Sequence, residues 1–217
     1  MNVIRLAEVT STQEVARGLA VGSVVVADHQ RAGRGRLGRR WEAPPGSGLA
    51  ASFVVAPRPL LSLAAGVAAA EACGDRVRLK WPNDLLLEGR KLGGILVEVT
   101  GGVALVGVGI NLTWAPPTGA SMATDRDQLL EGLIGALGRW LAAPDAAVLE
   151  RWRELSDTLG GRVRVELGSE VVEGLAEDIA PDGALIVDGR PLAAGDVIHL
   201  RLPSPAAEAA PRPSGLE

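Results

Sequence analysis

The first 112 residues carry short hydrophobic runs separated by glycine, proline and charged residues, a pattern that indicates a series of β-strands. An uninterrupted apolar segment near 60–73 predicts a helix that is buried on every side. Ser11 and Glu14 have the spacing of a capping box, which predicts that a helix begins directly after the first strand. The predicted strands cover residues 3–9, 22–30, 48–56, 76–81, 85–87, 93–100 and 103–112.

The run over 103–112 has two different faces. Its even positions are all apolar, whereas its odd positions end in Gly107, Gly109 and Asn111. Because side chains alternate across a strand, we expect one face to pack on the core and the other to carry no side chain until the amide. Glycine within a strand commonly marks the close approach of a ligand or of another backbone. Helix packing on a glycine-lined groove explains the glycines equally well, but it does not explain Asn111.

The second half of the chain predicts two helices and then a small β domain. Leucine and tryptophan at helical spacing predict amphipathic helices over about 129–141 and 148–159. Five short strand-like runs within 162–202 are separated by glycine-containing turns, which is typical of a small β-barrel. We therefore expect a larger domain over 1–160 and the barrel over 161–202. The last segment, 203–217, is rich in proline and alanine and is expected to be disordered.

Composition excludes several classes of protein. With 47% hydrophobic residues and a net charge of -4, the chain is neither disordered nor a generally basic nucleic-acid binder. The single cysteine, Cys73, excludes an internal disulfide and a cysteine-based zinc site, and we expect it to be an inert core thiol. The N-terminus lacks the apolar segment of a signal peptide, and the apolar stretch 49–73 is broken by Pro57, Arg58 and Pro59. We therefore expect a cytoplasmic protein with no membrane partner.

Residues 29–41 contain five arginines, three glycines and no acidic residue, and a double proline follows. This composition predicts a long irregular loop whose arginines repel one another until an anion orders them. Guanidinium groups bind carboxylate and phosphate oxygens bidentately, so the loop is a candidate anion site; a solvated linker and an RNA-binding loop are the alternatives. Gly33, Gly35 and Gly38 also match G-x-G-x-x-G, but the absence of an adjoining strand and helix argues against a dinucleotide-binding turn.

Both lysines of the chain lie in one short segment, although there are 22 basic residues in all. Lys80 begins the sequence Lys-Trp-Pro-Asn-Asp, and Lys91 precedes Leu-Gly-Gly. An ammonium group on a mobile stem can follow an oxygen as negative charge develops on it, which is a large catalytic effect. Asn83 and Asp84 offer oxygens to a magnesium ion carried by a nucleotide. Trp81 is either a flat wall of the site or a core residue.

Taken together, these motifs resemble those of the biotin protein ligases. The resemblance implies an α+β catalytic domain related to the class II aminoacyl-tRNA synthetases, followed by an SH3-like β-barrel. Some members of the family also carry an N-terminal DNA-binding domain and act as repressors. Because this chain begins at the catalytic strand, we expect no DNA partner. The matching segments are Ser11-Thr12-Gln13, Gln30 to Arg36, Lys80 to Asp84, Arg90 to Gly94 and Gly109-Ile110-Asn111.

The resemblance implies a reaction in two steps. Biotin and Mg-ATP give biotinyl-5'-AMP and pyrophosphate, and a lysine of a biotin carboxyl carrier protein then takes the biotinyl group. Lys91, Arg36 and Lys80 are the implied catalytic residues, with Lys91 at the biotin carboxyl oxygen and Asn83 and Asp84 near Mg²⁺. The implied biotin contacts are Ser11, Thr12, Gln13, Gln30, Arg34, Gly35, Arg36 and Lys91. The implied ATP and adenylate contacts are Arg34, Arg36, Arg39, Trp41, Lys80, Asn83 and Asn111.

The first motif departs from the family pattern, because Gln13 stands where asparagine is frequent. Other interpretations of the chain are a lipoate-type ligase of the same superfamily, a non-catalytic SH3-like adaptor and an RNA-binding module. The arginine-glycine segment differs from that of lipoate ligases, an adaptor leaves the clustered lysines unexplained, and the acidic net charge argues against RNA. We expect a monomer or a weak homodimer.

Overall fold

A computed structural model describes residues 1–200, and the predicted tail over 203–217 lies outside that part of the chain. The described strands are β1 (Asn2–Val9), β2 (Ser23–Gln30), β3 (Gly33–Arg34), β4 (Arg40–Trp41), β5 (Gly48–Val55), β6 (Val77–Lys80), β7 (Asp84–Leu87), β8 (Arg90–Thr100), β9 (Val103–Asn111), β10 (Arg162–Leu167), β11 (Glu170–Ile179), β12 (Leu185–Val187), β13 (Arg190–Leu192) and β14 (Asp196–His199). The helices are α1 (Thr12–Ala16), α2 (Leu61–Cys73), α3 (Arg126–Ala142) and α4 (Asp145–Leu155).

Strands from the first half of the chain form a seven-stranded sheet in the order β1-β2-β5-β9-β8-β7-β6. β1 and β2 are parallel, and the other neighbouring pairs are antiparallel. The meander predicted over 76–112 is confirmed, because β6 to β9 follow one another as antiparallel neighbours. The tight turns between these strands use residues in the left-handed region, including Gly89, Gly101 and Gly102.

One face of this sheet is covered by helices. α2 packs on β6, β7 and β8 and is flanked by α3 and α4, so its alanine-rich sequence is buried on nearly all sides, as predicted. The even positions of β9 are buried in the same core, which confirms the predicted core face of that strand. Cys73 packs against this core, and burial raises the pKa of its thiol to about 12. The thiol is therefore neutral and unreactive at physiological pH, as predicted.

The opposite face of the sheet is only partly covered. The short helix α1 lies over β2, β5 and β9, where Ala16 packs against Val25, Val54 and Leu105. This small cluster occupies one end of the face. The middle of β8 and β9 is left open on that side, and Gly107 and Gly109 of β9 face this opening.

The second sheet has the order β13-β12-β11-β10-β14 and is antiparallel throughout. The α+β class is confirmed, and the five strands predicted after residue 161 are present. Within residues 1–200 the strand pairs leave β13 and β14 as edges, so backbone pairing does not close the sheet into a barrel. A register shift between Ala176 and Asp178 marks an irregularity in the pairing of β11 with β12. One hydrophobic core runs continuously from the large sheet into this one.

Two local predictions are wrong. Ser11 precedes α1, but its side chain caps no backbone group, so the capping box does not form. The Ser11 hydroxyl lies instead at the open face of the sheet, where it is buried. The arginine segment is also more ordered than expected, since β3 and β4 pair as a small ribbon around a 3-10 turn over Arg36–Gly38. Among the described residues, no helix has both the length and the apolar character needed to cross a bilayer.

Candidate ligand-binding site

A cavity of about 370 Å³ opens on the uncovered face of the large sheet. β8 and β9 form its floor, α1 and the β3–β4 ribbon form two walls, and the second sheet closes part of a third. The residues predicted for biotin, ATP and magnesium meet here, with the exception of Asn111. The predicted residues that line it are Ser11, Thr12, Gln13, Gln30, Arg34, Gly35, Arg36, Arg39, Trp41, Lys80, Asn83, Asp84 and Lys91.

The glycines of β9 are explained by two side chains that rest on them. A Cβ atom added at Gly109 would lie 2.6 Å from the indole ring of Trp41, and one added at Gly107 would lie 3.3 Å from the side-chain amide of Gln13. The sequence pattern predicted the close approach of a ligand or of another backbone, whereas in the structure side chains of the walls approach these glycines. The two glycines let Trp41 and Gln13 sit directly against the sheet, and this deepens the cavity.

One end of the cavity is polar, uncharged and buried. Gln30 Oε1 accepts hydrogen bonds from the backbone nitrogen of Thr12 at 2.8 Å and from its hydroxyl at 3.1 Å. Ser52 donates its hydroxyl to Thr12 Oγ1 at 2.8 Å. Ser11 Oγ and Gln13 Oε1 are buried here without a hydrogen-bond partner among residues 1–200. Because an unsatisfied buried polar atom costs free energy, these two atoms mark places where a ligand can supply donors or acceptors.

A β-bulge places Lys91 on the cavity side of β8. Leu85 pairs with Gly93, but Leu86 pairs with Lys91, so Leu92 is an extra residue on β8. Leu92 turns fully into the core, and Lys91 consequently shares the face of Gly94, from which strict alternation would have excluded it. Lys91 Nζ lies 2.6 Å from Asp84 Oδ1. The ammonium group is therefore already within reach of a carboxylate.

The arginine segment closes over the other end of the cavity. Gly33 pairs with Trp41 in the ribbon so tightly that no Cβ atom fits, which explains glycine at that position. Arg36 donates from Nη1 to Asn83 Oδ1 at 3.1 Å and to the carbonyl oxygen of Gly195 at 3.4 Å. The prediction that the arginines lack acidic neighbours holds within the segment, but distant carboxylates approach them in the fold.

The second sheet contributes residues that sequence reasoning missed. Asp196, at the start of β14, forms an ion pair with Arg39, and Glu166, Val197 and Ile198 also line the cavity. Nothing in the sequence near Asp196 distinguishes it from the other acidic residues of the second sheet. The contact arises only because the two sheets share a core and lie side by side.

Lys80 ends β6 at the charged end of the cavity. Burial lowers the pKa of its ammonium group, and this effect exceeds the opposing influence of the Asp84 carboxylate. The neighbouring Trp81 is a core residue that also reaches the cavity wall, with its indole nitrogen donating to the carbonyl oxygen of Gly183 at 3.0 Å. Trp81 thereby links the lysine-bearing segment to the second sheet.

Asn111 is the predicted site residue that the structure places elsewhere. It is buried, it does not line the cavity, and its amide nitrogen donates to the carbonyl oxygen of Ala120 at 3.0 Å. The two oxygens proposed for magnesium are already engaged, because Asn83 Oδ1 accepts from Arg36 and Asp84 pairs with Lys91. Residues 1–200 contain no group of three or more His, Cys, Asp and Glu side chains arranged for a metal ion. The donors fit an ion that arrives with a nucleotide better than one held by the protein alone.

Comparison with known proteins agrees with this arrangement. Residues 5–114 match the model of the biotin/lipoate A/B protein ligase family, and residues 158–200 match that of the biotin protein ligase C-terminal domain. The biotin--[acetyl-CoA-carboxylase] ligase of Mycobacterium tuberculosis is 40% identical over 83% of this chain and 80% of its own length. That of Paracoccus denitrificans is 34% identical over 81% of this chain and 88% of its own length.

Among solved structures, the biotin protein ligase of Aquifex aeolicus in complex with biotin and ATP has a TM-score of 0.82 and 27% sequence identity. The match covers 93% of this chain and 99% of the Aquifex chain, so it includes both sheets. The chain therefore belongs to the biotin/lipoate A/B protein ligase family and, within it, to the biotin protein ligases.

Proposed function

We propose that the chain activates biotin with ATP to form biotinyl-5'-AMP and then transfers the biotinyl group to a lysine of a biotin carboxyl carrier protein. The observation that carries this proposal is the division of one cavity into an uncharged buried end and a cationic end, with Lys91 at the cationic end. A ligand that fits both ends has a neutral polar ring and a carboxylate, and the cationic end has room for a second anion. Biotin with the α-phosphate of ATP meets these requirements.

The uncharged end suits the ureido ring of biotin. Ser11 Oγ and Gln13 Oε1 have no hydrogen-bond partner in the described part of the chain, and Thr12 and Gln30 are hydrogen-bonded to each other. A rigid set of donors and acceptors selects against a ligand that lacks the matching groups, because those protein groups would remain unpaired on binding. Lipoate, which carries a dithiolane ring, offers no such hydrogen bonds. This difference supports biotin over the lipoate-type alternative.

The cationic end suits the first chemical step. An oxygen of the biotin carboxylate attacks the α-phosphorus of ATP, the bond to the β-phosphate oxygen breaks, and pyrophosphate leaves with the electron pair. Lys91 would stabilise the charge on the reacting carboxyl oxygen, and Arg36, Arg39 and Lys80 would hold the phosphates. Magnesium is expected to enter with the triphosphate, with Asn83 and Asp84 as its nearest oxygen donors in the protein.

The second step is an acyl transfer that the same residues support. The uncharged amine of the carrier lysine attacks the acyl carbon of the adenylate, AMP leaves, and the amine loses a proton as the amide forms. Arg36 bridges the ribbon to Asn83 and to Gly195. It therefore covers the position proposed for the adenylate and limits the access of water and other amines. The names of the relatives support an acetyl-CoA carboxylase carrier as the acceptor.

The test is pyrophosphate release from ATP by the purified chain, measured with biotin, with lipoate and with no acid. We expect release with biotin only, together with labelling of a biotin carboxyl carrier domain. Release with lipoate, or release independent of any acid, would overturn the proposal. A chain that binds neither biotin nor ATP in calorimetric titrations would favour the non-catalytic adaptor instead.

Arg36→Ala tests the covering role of this arginine. We expect the variant to form the adenylate but to release it, so that biotinylation of free amines rises about tenfold relative to transfer to the carrier. Mass spectrometry of a bystander protein and of the carrier measures both products in one reaction. A variant that retains the adenylate as well as the parent would remove this role.

A further inference from the structure

Glu98 lies on β8 just beyond the residues that form the cavity floor, and it contacts an arginine from each of the two walls. Its side chain shares a face of β8 with Gly94 and Leu96, and its partner across the sheet is Leu105, which packs beneath α1. Pairing between β7 and β8 ends at Gly94. Glu98 is the acidic residue in the part of β8 that follows. Glu98 belongs neither to the residues implied by the family resemblance nor to those that line the main cavity.

Each carboxylate oxygen of Glu98 meets a different arginine. Oε1 lies 3.2 Å from Nη2 of Arg34, which belongs to the β3–β4 ribbon. Oε2 lies 3.0 Å from Nη2 of Arg17, which directly follows α1. α1 carries the residues of the uncharged end, whereas the ribbon carries the arginines of the charged end. One carboxylate thus joins the two walls between which the ligand must lie.

The two ion pairs of Glu98, with Arg17 and with Arg34, form a joint between the walls, and the surroundings of Glu98 make this joint significant. A second cavity, of about 450 Å³, separates the ribbon from β8. Four arginines of the ribbon line it, and Glu98 is the acidic residue among its lining residues. Without that carboxylate, Arg17 and Arg34 would be two like charges facing the same space, and their repulsion would push the ribbon away from α1.

We propose that Glu98 is a positioning residue for the ligase reaction, which fixes the distance between α1 and the arginine ribbon by pairing with Arg17 and Arg34. This inference rests on the proposed function for the identity of the ligand. Glu98 does not touch the reacting atoms. It holds closed the pair of walls that enclose biotin and its adenylate, so its loss affects retention more than chemistry.

Glu98→Gln is the direct test, because glutamine keeps the shape and removes the charge. We expect KM for biotin to rise about fivefold, kcat to change less than twofold, and release of adenylate to free amines to increase, as suits a half-exposed ion pair. Trypsin should also cleave the unliganded ribbon several times faster than in the parent. A purely structural role would lower the melting temperature without this separation of KM from kcat.

Arg17→Gln and a double variant make the result specific. Arg17 is exposed and lies outside the catalytic residues, so its variant should fold even if Glu98→Gln does not. We expect Arg17→Gln to reproduce part of the effect and to add little in the Glu98→Gln background, since both changes break the same joint. Glu170→Gln is the matched control, because it breaks an ion pair with Arg190 in the second sheet.

The outcomes separate this inference from the proposed function. If the parent chain releases no pyrophosphate with biotin, the proposed function fails. The trypsin comparison still tests the joint in that case, because it requires no reaction. If the parent is active but Glu98→Gln matches it in KM, in adenylate retention and in tryptic cleavage, the positioning role of Glu98 is wrong.

Discussion

The two ends of the cavity differ in charge, in burial and in how far the protein satisfies its own polar groups. At the uncharged end, Ser11, Thr12 and Gln13 are 1–3% exposed, and two of their polar atoms have no hydrogen-bond partner within the 200 residues that the structure describes. At the charged end, the side chains of Lys91 and Arg39 are 44% and 63% exposed, and both are paired with carboxylates. The uncharged end is thus a fixed template, meaning a buried and rigid set of hydrogen-bonding groups. The charged end is a set of cations whose carboxylate partners a ligand can replace.

This difference suits the two kinds of ligand. Exposed ion pairs contribute only about 0–1 kcal/mol, so an incoming carboxylate or phosphate can replace Asp84 or Asp196 at little cost. An unsatisfied buried hydroxyl costs about 1–3 kcal/mol, and a ligand that bonds to it recovers that energy. The uncharged end therefore selects the ligand, and the charged end accepts a succession of anions during the reaction.

Lys91→Arg has the largest expected effect, and it acts at the charged end of the cavity. A guanidinium keeps the charge but not the compact, mobile ammonium, so we expect kcat for pyrophosphate release to fall about 100-fold or more with little change in the melting temperature. Arg90→Lys, which changes the exposed neighbour, is the control. Turnover at the parental rate would show that any cation suffices at residue 91.

Substituting the two β9 glycines separates the ends of the cavity from each other. Gly109→Ala must displace Trp41, and we expect Kd for ATP to rise about tenfold while biotin affinity changes little. Gly107→Ala presses on Gln13 by only a few tenths of an ångström, and we expect a smaller loss confined to biotin affinity. Calorimetric titration of each ligand measures both effects. If both variants weaken the binding of the same ligand, the assignment of ATP to one end and biotin to the other is wrong.

Ser11→Ala sharpens the idea of a fixed template. Removing the unpartnered buried hydroxyl should raise the melting temperature of the unliganded protein and weaken biotin binding about fivefold, two effects of opposite sign. Thermal unfolding and titration with biotin measure them independently. Ser47→Ala is a control, because the Ser47 hydroxyl already bonds to the carbonyl oxygen of Pro44. A fall in the melting temperature of Ser11→Ala would contradict the interpretation.

Lys80→Met gives the smallest expected effect. Burial lowers the pKa of Lys80 in the folded state, so the charged ammonium disfavours folding at every pH below that lowered pKa. We expect the variant to gain about 2 °C in melting temperature at pH 7 while losing ATP affinity. The gain in melting temperature should shrink as the pH rises through the lowered pKa toward 10.5. In that range the parent releases the proton when it folds, and the neutral amine no longer opposes folding. A gain that is independent of pH would argue for a packing effect.

Much of the fold was predictable because its signals are local. Strand periodicity, the apolar helix and the glycine turns gave the meander and the two-faced β9 within a few residues. The position of Lys91 was not predictable in the same way. Strict alternation counted from Gly94 places Lys91 on the core face, and only the bulge at Leu92 reverses this. A bulge depends on pairing with β7, which no local pattern of β8 records.

The site was predictable only where its residues formed motifs. Ser11 was recognised as a site residue, but its spacing to Glu14 also suggested a cap that does not form. The side chain cannot serve both purposes, and burial at the cavity prevails. Asp196 and Glu98 are single acidic residues in ordinary strands, and their partners lie 157 and 64 to 81 positions away in the chain. Contacts of this kind depend on tertiary packing alone.

The continuous core that runs from the large sheet into the second one bears on how the molecule unfolds. The buried cluster that contains Trp81 also includes Val163, Val165 and Val197 of the second sheet. The indole nitrogen of Trp81 donates a hydrogen bond to the carbonyl oxygen of Gly183, in the loop between β11 and β12. Neither sheet can then lose its packing without exposing apolar surface of the other, so heating should produce one cooperative calorimetric transition. A ligand in the cavity would raise the temperature of that whole transition, and the second sheet would gain stability together with the first.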